Sequence, residues 1–87
     1  MDSLQKSMKL LTNLDANGLL VRKAQRIELK RTRSGHYRLW MGFPEGIPEA
    51  DLTPVKPLLE GEAITMNPFA KKGLVTAVTF LDDNEDE

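Results

Sequence analysis

The chain has 87 residues with no cysteine and one histidine, so it can build only one small hydrophobic core, and neither disulfides nor a Cys/His zinc site can reinforce it. A domain of this size buries only about 60 to 65% of the surface its unfolded chain exposes, which leaves self-association as the remaining source of added stability. A formal net charge of −1 conceals strong segregation: residues 22–38 carry Arg22, Lys23, Arg26, Lys30, Arg31, Arg33 and Arg38 against Glu28 alone, and residues 82–87 carry Asp82, Asp83, Glu85, Asp86 and Glu87.

Polar residues from Asp2 to Asn17 interrupt the first twenty positions, so neither a signal sequence nor a membrane span is expected there. A soluble, cytoplasmic protein is the expectation, and the absence of cysteine suits a reducing compartment. From Ser3 to about Leu14, the spacing of Leu4, Met8 and Leu11 predicts an amphipathic helix with Lys6 and Lys9 opposite, capped by Asp2 or Ser3. Asn13, Asp15 and Asn17-Gly18 supply the chemistry that ends it.

The period then changes to alternation. Ile27, Leu29 and Arg31 share one face, and Glu28, Lys30 and Thr32 the other. After Ser34-Gly35, the set His36, Arg38, Trp40 and Gly42 alternates with Tyr37, Leu39, Met41 and Phe43. A β-hairpin between about Ala24 and Phe43 follows from this. Pro44, Gly46, Pro48, Pro54 and Pro57 predict an exposed loop with a short turn of helix near Ala50. Leu58 to Met66 reads as a strand, with Gly61 at a bulge or bend. Asn67-Pro68 to Lys72-Gly73 reads as a turn. Leu74 to Leu81, apolar or Thr on both faces, reads as a central strand covered on both sides. The acidic residues 82–87 are expected to be a disordered tail on a single folded domain, 1–81. These elements predict a mainly β fold: a small OB-like barrel or a curved antiparallel sheet of four to five strands with one N-terminal helix.

No catalytic constellation stands out. His36 lacks a Ser or Cys nucleophile, and Glu60 and Glu62 read as a solvated strand face rather than an acid/base pair. Gly42, Gly61 and Gly73 stand singly, so no phosphate loop is present. Neither an enzyme activity nor a cofactor is expected. The basic hairpin is the informative feature. Cations attract phosphates while aromatic rings stack on bases, which is how single-stranded nucleic acid is held; a duplex reader more often presents a basic helix. The candidate nucleic-acid-binding residues are Arg26, Lys30, Arg31, Arg33, Tyr37, Arg38 and Trp40, with Phe69, Lys71 and Lys72 as a second aromatic-plus-cation group. Core packing of Tyr37 and Phe43 competes with this, whereas Trp40 falls on the opposite face with Arg38.

The basic hairpin Arg31 to Leu39, the run Gly61 to Met66, Phe69, Gly73 and the closing Leu74 to Leu81 cover about half of the chain. In these the chain resembles the small single-stranded-DNA-binding proteins of filamentous phages. That resemblance implies a five-stranded OB-like barrel, a homodimer, and cooperative coating of single strands regardless of sequence. It makes Tyr37 and Phe69 stacking candidates and Arg31, Arg33, Arg38, Lys71 and Lys72 phosphate contacts. The N-terminal helix and the slightly negative net charge lie outside that family's pattern. By analogy with other single-strand binders, the acidic tail is a candidate for recruiting a protein partner. The competing reading is a small phage- or plasmid-type protein that binds and modulates a host protein, docking through Leu4, Met8 and Leu11 of the helix.

Overall fold

The computed structural model describes residues 2–82. The expected disorder of the tail beyond Asp82 lies outside the described residues. Helix α1 spans Ser3–Ala16. Its start is fixed by a reciprocal cap: the Asp2 carboxylate accepts the Gln5 N–H at 2.8 Å, and the Gln5 side chain accepts the Asp2 N–H at 3.2 Å. The buried face of α1 is Ser3, Ser7, Leu10 and Leu14, not the expected Leu4-Met8-Leu11 row, and Met8 is 53% exposed. The reason is close approach. Small side chains at Ser3 and Ser7 let the first turns lie against the sheet, where the Tyr37 N–H donates to the Ser3 hydroxyl at 2.8 Å.

Four strands follow: β1 (Arg26–Arg31), β2 (Tyr37–Pro48), β3 (Ile64–Lys71) and β4 (Leu74–Asp82). They make one antiparallel sheet in the order β1-β2-β4-β3. The sheet is open, so the chain adopts the sheet rather than the barrel of the two expected forms. Between β2 and β3 lie a 3-10 helix at Glu49–Val55 and a single turn, α2, at Lys56–Leu59.

Three expectations are corrected here. The second half of β2 contains Pro44, Gly46 and Pro48, which had read as loop. Pro44 and Gly46 fall where the β2–β4 register shifts between Gly42 and Ile47, and Pro48 pairs with Leu74 as the last residue of β2, in a stretch that β1 does not flank. Leu58 and Leu59 close α2, and the strand begins only at Ile64, which leaves Glu60, Gly61 and Glu62 in the intervening turn. Asn67 and Pro68 are strand rather than turn. Proline is tolerated because β3 is an edge strand, and the turn contracts to Lys72-Gly73, whose φ values of 55° and 81° are those of a two-residue hairpin.

The core lies on the α1 side of the sheet. Leu10 and Leu14 of the helix meet Leu39, Met41 and Phe43 of β2 and Val75, Val78 and Phe80 of β4, closed at one end by Leu52 and Val55. Leu14, Leu39, Met41, Val55, Val75 and Val78 are fully buried. Two ion pairs fasten α1 to its surroundings, Lys6 with Asp82 at 3.3 Å and Lys9 with Glu62 at 2.6 Å. Asp82 is therefore the last residue of β4, not the first of the tail. Strand β4 is central as expected, but α1 covers only one of its faces.

Candidate nucleic-acid interface

Alternation along each strand decides which side chains share the uncovered face. The pairing Arg26-Gly42-Ala77-Phe69 forms one row across β1, β2, β4 and β3. Glu28-Trp40-Thr79-Asn67 forms the next, and Lys30-Arg38-Leu81-Thr65 the third. The rows between them, Ile27-Met41-Val78-Pro68 and Leu29-Leu39-Phe80-Met66, face the helix.

Trp40 occupies the centre of this open face and is half-buried. Its ring lies over Gly42: a Cβ at that glycine would stand 2.5 Å from the ring's Cη2 and 2.9 Å from Cζ3. Only a residue without a side chain lets the indole recline along the strand. Cations flank it, with the Lys30 Nζ 5.0 Å and the Arg26 guanidinium carbon 5.9 Å from the ring centroid. Both lie within cation–π range. Arg26 also pairs with Glu28 at 3.2 Å, so one carboxylate sits at the margin of the cluster.

Phe69 lies two strands from Gly42 in the same row and is 57% exposed. Neighbouring strands are about 4.8 Å apart, which places the two positions about 10 Å from each other with only Ala77 between them. The Phe69 backbone is held by the Thr76 hydroxyl, which donates to its carbonyl at 3.2 Å, just before a register shift at Ala70. The result is a shallow floor, small at Gly42 and Ala77, with an aromatic ring towards either side. Lys71 and Lys72 stand beyond Phe69 at the β3–β4 turn, both exposed.

No family model, curated protein or solved structure matches the chain. The site must therefore be read from its own geometry. Of the ten candidate residues, Arg26, Lys30, Arg38, Trp40 and Phe69 come together on the open face, with Lys71 and Lys72 at its corner. The rest do not join them. Arg33 is in the turn joining β1 to β2, and Arg31 and Tyr37 belong to the helix-facing row. Tyr37 lines a cleft of about 440 Å³ with Ser3, Lys6, His36 and Asp82. The alternation had already set Tyr37 on the face opposite Trp40, since three residues along a strand is an odd number, and the pairing places it there.

Gly42 and Ala77 are the residues that the sequence reading missed. A tryptophan followed two positions later by glycine, within an alternating run, is a local signal for a ring that lies down on a sheet. Ala77 could have been placed only with the β2–β4 register. Among the described residues, no group of three His, Asp or Glu side chains is disposed to hold a metal, and no helix is long and apolar enough to cross a membrane.

Proposed function

We infer that this chain is a cytoplasmic binding protein for single-stranded nucleic acid, DNA in the first instance, and that its ligand lies across the uncovered face of the sheet. One observation carries the reading: the Trp40 ring, laid over Gly42 between Lys30 and Arg26, faces the side of the sheet that α1 leaves bare. A base stacks on Trp40 and another on Phe69, while Arg26, Lys30 and Arg38 at one side and Lys71 and Lys72 at the other follow the phosphates. Each stack contributes about 1 to 3 kcal/mol and is tolerant of base identity because every base has a π-face. A sheet of this kind has no element to insert into a duplex groove, whereas splayed bases can lie flat on it. This chemistry is binding, not catalysis. Docking to a host protein through α1 has less behind it, because Leu4 and Leu11 are half-buried against the fold and only Met8 stands exposed.

The chain has one tryptophan, so its emission reports on the site directly. Titration with oligomers of single-stranded DNA, single-stranded RNA and duplex, at low and moderate salt, tests the reading. Salt-sensitive binding of single strands with quenching of Trp40 is the expected result, and the DNA and RNA arms decide between the two. Absence of single-strand binding at low salt would overturn the reading and turn attention to protein ligands.

A further inference from the structure

The two edges of the sheet differ in a way that platform binding does not require. At the β3 edge, ladder alternation turns the ring nitrogen of Pro68 outward, and between Phe69 and Ala70 the ladder is broken by the extra residue Thr76 of β4. An edge that lacks an N–H and is bent by a bulge in its neighbour resists further pairing. Strand β1 has neither protection. It is six residues, Arg26–Arg31, with no proline, glycine or register shift. On the helix side Ile27 is 37% and Leu29 40% exposed, because α1 packs chiefly over β2 and β4 and covers β1 only in part.

The hydrogen-bond phase of this edge follows from the hairpin. The Thr32 N–H donates to the His36 carbonyl at 2.7 Å, so even-numbered residues of β1 bond to β2. The N–H and C=O groups of Ile27, Leu29 and Arg31 then point outward. We propose that these groups pair with a second copy of the chain, β1 against β1 antiparallel, with Leu29 opposite Leu29 of the second copy on the two-fold axis.

Charge selects that register. Side chains directly opposite must share a face, so only shifts by whole pleats are allowed. With Leu29 on the axis, Glu28 stands opposite Lys30 of the second copy, and Lys30 opposite its Glu28. Ile27 meets Arg31, and every outward N–H and C=O of Ile27, Leu29 and Arg31 is satisfied. Moving the axis to Glu28 puts Glu28 against Glu28 and Arg26 against Lys30, while moving it to Lys30 puts Lys30 against Lys30. Both alternatives oppose like charges and leave outward groups unpaired. An axis at Ile27 would also oppose Arg26 and Glu28, but it pairs only residues 26–28 of the strand and leaves the outward groups of Leu29 and Arg31 without a strand partner, so the Leu29 register alone combines opposed charges with full pairing of the edge. The resulting eight-stranded sheet would be continuous across the axis and carry both Trp40 faces on one side. Self-association of this kind stands independently of what the open face binds.

Sedimentation equilibrium without nucleic acid tests the proposal. The native chain is expected to dimerise reversibly. Glu28→Lys alone places Lys against Lys, and Lys30→Glu alone places Glu against Glu; each should weaken self-association about tenfold or more, because two favourable cross-strand pairs become repulsive. An equimolar mixture of the two variants restores opposite charges at both positions and should recover a dimer containing one chain of each. Circular dichroism confirms that both variants are folded. A native chain that stays monomeric at millimolar concentration would overturn the proposal. So would single variants that dimerise as well as the native chain, or a mixture that remains monomeric.

Discussion

The same two central strands, β2 and β4, present opposite chemistries on their two faces. Towards α1 they offer Leu39, Met41, Val78 and Phe80, all essentially inaccessible. Away from it they offer Arg38, Trp40, Gly42, Thr79 and Leu81, bordered by Arg26, Lys30 and Phe69. A face used only for solubility would carry short polar or charged side chains. This one carries the largest side chain in the protein, seated on a glycine and flanked by cations, and that arrangement adds nothing to the core. The contrast separates the residues that hold the chain together from those available to a ligand.

Substitution on each face should break different properties. Phe80→Ala, on the covered face, is expected to cost about 3 to 5 kcal/mol of unfolding free energy, measured by urea denaturation, because it opens a cavity between β4 and α1. For a chain this small that is a large part of its stability. Trp40→Ala, one strand away on the other face, should cost only about 1 to 2 kcal/mol of stability, the worth of its contacts to Lys30 and Arg26. Its effect belongs to the ligand: single-strand affinity should fall about five- to one-hundred-fold. Equal losses of stability in the two variants would mean that Trp40 is a core residue and that the faces do not differ in the way described.

Gly42→Ala sharpens the comparison further. The added methyl cannot coexist with the reclined indole, whose ring atoms would lie at 2.5 and 2.9 Å, but the ring is free to swing towards solvent. The fold should therefore survive with little change. The Trp40 emission should shift as its contacts to Lys30 and Arg26 are lost, and affinity should fall by a few fold because the ring is no longer held in place for stacking. An unchanged spectrum would show that the ring does not depend on Gly42.

Much of this division was legible in the sequence. The alternation from Tyr37 to Phe43 put Arg38 and Trp40 opposite Leu39 and Met41, and the Ser34-Gly35 turn fixed the hairpin. What was not legible depended on tertiary context. The helix chose Ser3 and Ser7 over Leu4 and Met8 because proximity to β2 favoured small side chains. Pro68 was accepted into β3 because its nitrogen faces the open edge, and Pro44 and Pro48 were accepted into β2 because their part of the strand lies beyond β1. A turn residue gives a turn only where a ladder needs its N–H. Phe69 joined Trp40 on one face through the β2–β4–β3 register, which no local pattern encodes.

Tyr37 gives the smallest expected effect and the narrowest test of the two-face division. Basic and aromatic residues beside it in the sequence make it look like part of the binding cluster, yet its side chain belongs to the helix-facing row, in the cleft with Ser3, Lys6 and Asp82. The hydrogen bond it makes to Ser3 comes from its backbone N–H and survives any replacement except proline. Tyr37→Leu should therefore leave the fold intact and single-strand affinity within about twofold of the native chain, a difference of no more than about 0.4 kcal/mol. Arg38→Gln, one residue further on and on the open face, removes one of the proposed phosphate contacts instead, and should flatten the dependence of log affinity on log salt by about 0.7. If Tyr37→Leu weakened binding as much as Trp40→Ala, the nucleic acid would have to pass around the hairpin end of the sheet and use both faces. Neighbours in sequence would then matter more than the side of the sheet on which each residue stands.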